Sequence, residues 1–126
     1  MAKRIWNSGP GYKRYINTDD ADPNAGGMSH HYVIVQQWDD RSTDGAERSW
    51  KLDFQHGPVK EIGHNGIQHA DLYRILIDRL EAAQAGSFAC EENAAQLEHL
   101  RAALALDEAR TARRVVSGTE GTNKGA

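Results

Sequence analysis

The spacing of apolar residues changes once along this chain, close to position 65, and this change constrains the fold more than any other feature. Before it, Trp50, Leu52 and Phe54 alternate with polar residues, which is the period of a half-buried strand. After it, apolar residues recur every three or four positions, which is the period of a helix with one apolar face. These are Leu72, Ile75, Leu76, Leu80 and Ala83. The sequence therefore predicts an α+β fold, with a sheet first and helices second.

The sheet is predicted to be a small antiparallel β-meander of three strands. Residues 31–38 are rich in β-branched and aromatic side chains, and residues 48–55 alternate as described above. Residues 59–63 are predicted to form a third strand at the sheet edge, because their charged side chains discourage further pairing.

The helical part is predicted to be a long antiparallel hairpin. The first helix begins near Ala70 and ends at Gly86, a residue type that helix C-termini favour. Ser87 is the predicted N-cap of a second helix, whose apolar stripe contains leucines. A short loop between two helices makes them antiparallel neighbours. The stripe residues are Leu97, Leu100 and Leu104.

Four segments follow from these boundaries. Residues 1–28 mix Gly, Pro, Asn and Asp and are predicted to be a flexible arm. The sheet takes residues 29–64, the hairpin residues 65–117, and a Gly-rich tail residues 118–126. Backbone N–H groups of such a tail can cradle an anion, but tails of this composition are also often disordered.

Composition narrows the classes of function. The net charge of −3 and pI of about 6.0 argue against binding of polymeric DNA or RNA, yet they permit a small anionic ligand held by a local basic pocket. No apolar run reaches the length of a membrane span, so no membrane contact is predicted. The one cysteine, Cys90, excludes an intramolecular disulfide and is predicted to be buried and structural.

Catalytic motifs are missing from the sequence. No HExxH, paired CxxC, GxSxG or P-loop pattern occurs, so we expect neither an enzyme nor a cofactor or metal requirement. One alternative stays open: His56, His64 and His69 lie in consecutive loops, where they could meet around a metal or simply face water.

Two arginines near the end of the second helix are candidates for anion binding. Arg110 and Arg114 are four residues apart and so project from one helix face. Guanidinium groups bind phosphate through two parallel hydrogen bonds. The spacing alone favours the other interpretation, in which both are solvated charges partly neutralised by Asp107 and Glu108.

Three stretches carry a resemblance to a known family: "FQHGPVKEIGHNGI", "LIDRLEAAQAGSFACEENAAQLEHLRAAL" and "RTARRVVSGTEGT". Together they resemble the phage Thoeris anti-defence protein 1 family, whose helical hairpin domain is shared with the anti-CBASS cyclic nucleotide sponges. The chain departs from the family pattern at three positions. Ala83 replaces an aromatic residue, and Glu91 and Ser117 each replace an arginine.

The resemblance implies a non-catalytic sponge in the host bacterial cytoplasm. Such proteins bind a cyclic ADP-ribose isomer of Thoeris, and some bind cyclic oligonucleotides of CBASS, without cleaving them. They are homo-oligomers, either dimers or hexamers. The alternative from another class is a phage protein that docks on a host protein through its helical hairpin and has no nucleotide ligand.

The resemblance also places the ligand site. The cyclic ADP-ribose pocket falls on Asn93, Arg110 and Arg114, and the predicted ligand-binding set adds Arg113, Thr122 and Phe88. On one helix, the 17 residues from Asn93 to Arg110 span about 25 Å. One chain cannot close both around a small ligand, so a shared pocket would have to lie between subunits.

Overall fold

A computed structural model of the chain describes residues 3–11, 13–37 and 47–125. These residues form two compact units, and the boundary between the units falls between Ile67 and Gln68. The first unit contains the sheet and the second contains the long helices, so the predicted α+β class is confirmed.

The first unit is built on a four-stranded antiparallel meander. Its strands are β1 (Lys3–Asn7), β2 (Arg14–Thr18), β3 (His31–Gln36) and β4 (Arg48–Asp53). They follow one another across the sheet in chain order. The strands predicted from residues 31–38 and 48–55 are therefore present, although Trp38 lies outside the described residues.

The arm predicted for residues 1–28 was wrong in its local structure, because it contains β1 and β2. Its glycines and prolines lie in the connections: Gly9 and Gly11 between β1 and β2, and a 3-10 turn at Pro23–Ala25 between β2 and β3. Turn-forming residues dominate the composition of residues 1–28, so composition alone did not indicate the two short strands.

The predicted third strand was also wrong. Val59–Ile62 forms a one-turn helix, α1. Pro58 precedes it with φ −68°, a value suited to a helix start, and Gly63 ends it at φ 79°. A segment of four residues between a proline and a glycine is too short for its apolar pattern to distinguish strand from helix.

The strand register separates the two faces of the sheet as the alternation predicted. Ile16, Ile34 and Trp50 lie side by side on one face of β2, β3 and β4. The adjacent row across the three strands, Asn17, Val33 and Lys51, lies on the other face.

The second unit is the helical hairpin of α2 (His69–Gln84) and α3 (Glu91–Ser117). Ion pairs join Arg74 to Glu108 at 3.7 Å and Glu81 to Arg101 at 3.3 Å. Because residue numbers rise along α2 as those of their partners fall along α3, the helices are antiparallel, as predicted. None of the described helices has the length and apolarity to cross a membrane.

The loop between the helices corrects two expectations. The N-cap of α3 is Cys90, not Ser87, and the carboxamide oxygen of Gln84 accepts a hydrogen bond of 2.9 Å from its backbone N–H. That side chain satisfies one donor that a helix start leaves unpaired. Cys90 is exposed, not buried as predicted.

Candidate ligand-binding site

The predicted ligand residues lie at the two ends of α3. Phe88 and Asn93 are at its start, whereas the three arginines and Thr122 are at or beyond its last turns. The structure keeps both groups on one straight element, about 25 Å apart along it. A single hairpin therefore does not bring them together, and a pocket that uses both ends remains a prediction about an oligomer.

At the first end, Asn93 fixes the loop that carries Phe88. Its carboxamide donates a hydrogen bond of 3.0 Å to the carbonyl oxygen of Phe88. The Phe88 side chain is 80% exposed, which is unusual for an aromatic residue. An exposed ring held by a fixed backbone is suited to stack on a planar ligand.

At the other end, Arg114 is buried, with 4% of its surface exposed. Its guanidinium donates to the carbonyl oxygens of Lys124 at 2.9 Å, Thr119 at 2.7 Å and Thr122 at 3.2 Å. Its Nε lies 3.4 Å from a carboxylate oxygen of Glu120. The side chain is thus occupied in holding the segment that follows α3, and the expectation of a solvated helix-end charge is wrong for it.

We call residues 118–124 the C-terminal turn segment. Its backbone returns to the helix, because the N–H groups of Thr119 and Glu120 both donate to the carbonyl oxygen of Arg114, at 2.9 and 3.2 Å. Gly118 permits this reversal with φ 75°. The Thr122 hydroxyl donates to the carbonyl of Thr119. The segment predicted to be a Gly-rich tail is therefore a defined turn over the described residues 118–124.

Arg110 and Arg113 are both exposed on the last turns of α3. Arg114 follows them and sets the position of the C-terminal turn segment. Of the two predicted phosphate ligands, Arg110 is exposed and Arg114 is buried.

The sheet unit has a cavity of its own, of about 440 Å³. His31 and Asp53 meet at its edge, with Nδ1 and Oδ1 2.9 Å apart. Partial burial raises the pKa of Asp19, but hydrogen bonds from the backbone of His31 and His30 outweigh this and hold that pKa below its ordinary value. The lining is Asn17, Thr18, Asp19, His31, Tyr32, Val33, Lys51 and Asp53.

The structure groups the histidines differently from the alternative that the sequence left open. His56 lies with His30 and Asp22, and within the described ranges this is the one set of three possible metal ligands that meets. His64 and His69 are outside it. The hydrogen bond from His30, with that from the backbone of Asn24, holds the pKa of Asp22 below its ordinary value.

A known domain matches the end of the first unit and most of the helical hairpin. Residues 51–112 match the model of the Acb2/Tad1 hairpin domain. The chain contains an Acb2/Tad1 hairpin domain. The family that the sequence predicted is thus confirmed, and the domain includes Phe88, Asn93 and Arg110 but ends before Arg113, Arg114 and Thr122.

A relative supports the same family. The chain is 41% identical over 81 residues to Thoeris anti-defense 1 of Bacillus phage SBSphiJ7. The matched region covers 64% of this chain and 57% of the relative, so the chain spans less than two thirds of that protein.

Two features of the site were not predicted from the sequence. The first is the burial of Arg114, because an arginine near a helix end is usually exposed and nothing in the sequence distinguishes it from Arg110. The second is the meeting of Asp22, His30 and His56, whose separation along the chain gives no signal. A glycine directly after the last helical residue, Gly118, was the one available sign that the tail turns back.

Proposed function

We propose that this protein is a phage anti-defence sponge, which binds a cyclic nucleotide signal of bacterial immunity and withholds it without cleaving it. The Acb2/Tad1 hairpin domain and the anti-defence name of the relative support this role. The observation that carries it is the end of α3, where Arg110 and Arg113 are exposed on the last turns of the helix and Arg114 fixes the turn that follows.

The chemistry of this end suits a ligand with phosphates. A guanidinium forms charge-assisted, bidentate hydrogen bonds with phosphate oxygens, and it stays charged at every physiological pH. Arg110 and Arg113 would bind phosphates directly. Arg114 would act through the C-terminal turn segment, where it places Thr122 and the backbone of residues 118–124 beside the ligand.

The other end of α3 would bind the base. Phe88 offers an exposed ring for stacking, which replaces the aromatic that the family pattern has where this chain has Ala83. Asn93 holds the loop through Phe88 and would read a ribose or base edge. A cyclic ADP-ribose isomer has two phosphates for the arginine end of α3 and an adenine for the Phe88 end. Cyclic oligonucleotides offer the same two kinds of group.

A cyclic nucleotide is too small to reach both ends of α3 in one subunit. A site that uses both ends therefore requires a second copy of the chain. If α3 of one subunit packs antiparallel on α3 of another, Asn93 of one copy approaches Arg110 of the other. The outer surface of α3 is suited to such packing, because its exposed alanines permit close approach and Leu106 is 73% exposed. We therefore propose a homo-oligomer, a dimer or a hexamer built from dimers.

The test is a capture experiment. Purified protein is incubated with cyclic ADP-ribose isomers and cyclic di- and trinucleotides, unbound ligand is removed by filtration, and the protein is denatured by heat. Chromatography should recover one intact ligand from the denatured protein. Ligand that all remains unbound would refute the sponge, and ligand recovered as fragments would show an enzyme instead.

Matched variants locate the site in the same experiment. Arg110→Ala should release the ligand, whereas Arg79→Ala, which removes an exposed arginine from α2, should not. Equal loss in both variants would mean that general charge, and not the end of α3, holds the ligand.

A second candidate function is docking on a host protein. The exposed apolar side chains Phe88, Leu106 and Val116 favour it, with 80%, 73% and 89% of their surfaces exposed. It predicts that no nucleotide is retained in the capture experiment and that a single host protein binds the hairpin with a defined stoichiometry.

A further inference from the structure

We propose that Asp22, His30 and His56 form a binding site for a divalent transition-metal ion, with Zn²⁺ as the ion of choice. The site lies wholly in the sheet unit and does not depend on the proposed nucleotide binding. It departs from the expectation, drawn from the sequence, that the chain has no metal site.

The donor atoms lie close enough for one ion to reach all three after a local adjustment. Nε2 of His30 lies 2.8 Å and Nε2 of His56 lies 3.6 Å from the same oxygen, Oδ2 of Asp22. All three donors are within 4.8 Å of one another. Tetrahedral zinc with bonds of about 2.0–2.1 Å separates its donors by about 3.4 Å, a value between the two distances. A shift and rotation of the exposed His56 ring would complete the geometry.

The two imidazoles lie against the same carboxylate oxygen, and one of the rings would have to turn on ion binding, because a metal lies in the plane of each imidazole that binds it. Their rings are stacked, with centroids 4.2 Å apart and planes inclined by 16°, and both direct a nitrogen at one carboxylate oxygen. The other oxygen of Asp22 is already used by the backbone N–H of Asn24, at 2.9 Å. One cation between the three groups would satisfy both nitrogens and the carboxylate charge together.

Each ligand is held by a backbone that is fixed before any ion binds. The N–H of His30 donates to Asp19 at 3.1 Å, and its carbonyl accepts from Phe54 at 2.8 Å. The N–H of Asp22 donates to the carbonyl of Met28 at 2.9 Å. Such preorganisation lowers the entropy cost of assembling a metal site.

His56 is fixed by a second, reciprocal pair of bonds. Its N–H donates to Oδ1 of Asn65 and its carbonyl accepts from Nδ2 of the same residue, both at 2.8 Å. The His56 side chain is exposed while His30 is buried. The ion would therefore have two donors below it and an open position toward solvent, which water or an exchangeable anion would fill.

The ligand set indicates the class of metal. Two imidazoles and one carboxylate suit Zn²⁺, Co²⁺, Ni²⁺ or Fe²⁺, whereas Mg²⁺ and Ca²⁺ prefer oxygen donors. We therefore expect the site to discriminate strongly against Mg²⁺ and Ca²⁺.

The experiment titrates the full chain, freed of any histidine tag, with Co²⁺ by absorption spectroscopy and with Zn²⁺ by calorimetry. One equivalent of Co²⁺ should produce a visible ligand-field band that Zn²⁺ abolishes and Mg²⁺ does not. A wild-type protein that gives neither the band nor saturable Zn²⁺ heat overturns the proposal.

Three variants assign the ligands. His56→Ala removes an exposed side chain and should weaken Zn²⁺ binding by at least about 100-fold, because even partners outside the coordination sphere are worth 10–100-fold. Asp22→Asn keeps the backbone hydrogen bond at Oδ1 and should weaken it similarly. The matched control is His64→Ala, a loop histidine outside the group, which should bind as wild type.

Circular dichroism of each variant checks that the fold is retained. If His64→Ala loses Zn²⁺ as fully as His56→Ala, or if both Asp22→Asn and His56→Ala bind as wild type, the ion is held elsewhere and the assignment is overturned. The outcome of the nucleotide capture experiment changes neither conclusion, because the two measurements use different ligands.

Discussion

The guanidinium of Arg114 donates a 2.7 Å hydrogen bond to the carbonyl oxygen of Thr119, and the backbone N–H of Thr119 donates back to the carbonyl of Arg114 at 2.9 Å. Through this reciprocal pair a buried side chain organises a segment that composition alone describes as a loose tail. In the proposed sponge, Arg114 is therefore a positioning residue, and the exposed arginines of the same helix end bind the ligand.

Replacing Arg114 should open the C-terminal turn segment. Arg114→Lys keeps the charge but loses the planar fork that reaches Thr119, Thr122 and Lys124 together. Hydrogen bonds to charged groups are worth about 1.5–3 kcal/mol each, so exchange of the Thr119 and Glu120 amides should accelerate at least tenfold. Hydrogen exchange with mass spectrometry measures this.

The control for that variant is Arg110→Ala. It should weaken ligand binding without changing exchange in residues 118–124, because Arg110 is exposed on the helix. Accelerated exchange in Arg110→Ala, or unchanged exchange in Arg114→Lys, would contradict the division between binding and positioning arginines.

Gly66 should tolerate no side chain. A Cβ at this position would lie 2.4 Å from the carbonyl carbon of Phe54. This atom belongs to the backbone, so it can move away only if the chain around it shifts. Overpacking of this kind typically costs about 1–3 kcal/mol, so Gly66→Ala should lower the free energy of unfolding of the sheet unit by that order. Chemical denaturation followed by tryptophan fluorescence reads it, since Trp6 and Trp50 are in this unit.

Gly86→Ala is the control, and because Gly86 lies in the hairpin unit its unfolding is followed by circular dichroism. A Cβ there would approach no atom closer than 3.6 Å, which is ordinary van der Waals contact, and stability should stay within about 0.5 kcal/mol of wild type. Equal destabilisation by both substitutions would mean that loop flexibility, and not the close approach to Phe54, is what Gly66 supplies.

Substitution of Phe88 should change ligand affinity without changing the stability of the fold. Because its side chain is 80% exposed, Phe88→Ala should leave the unfolding midpoint nearly unchanged. Stacking of a base on an aromatic ring is worth about 1–3 kcal/mol, so ligand affinity should fall about 5- to 150-fold. Phe88→Trp should retain binding. An affinity unchanged in Phe88→Ala would remove Phe88 from the site.

The spacing of apolar residues predicted those elements that are long enough for the spacing to repeat. The alternation around Trp50 and the helical stripes of the hairpin each persist for several turns or residues, so β4, α2 and α3 were found. β1 and β2 have five residues each, and turn residues surround them. Four residues of α1 carry no period at all.

The candidate site was predictable in composition but not in geometry. The resemblance located Asn93 and Arg110, and helix rise alone showed that one chain cannot join them. Residue type, however, predicts a solvated Arg114, whereas the segment that turns back after Gly118 contacts its guanidinium and the side chain is buried. Two hydrogen bonds between the Asn65 side chain and the His56 backbone hold His56 in the loop beside His30, and no local sequence pattern predicts these bonds.

A site shared between subunits makes a prediction that no single-chain site can imitate. In a two-fold dimer with antiparallel α3 helices, each pocket takes Asn93 from one copy and Arg110 from the other. Asn93→Ala and Arg110→Ala should each abolish capture when purified alone. In a dimer that contains one copy of each variant, one pocket carries both substitutions and the other carries neither. Co-expression should therefore restore capture to about a quarter of the wild-type capacity, because about half of randomly paired dimers are mixed and each has one intact pocket of two. Titration of ligand per dimer measures that fraction, and the absence of any restoration in verified mixed dimers would overturn the pocket shared between subunits.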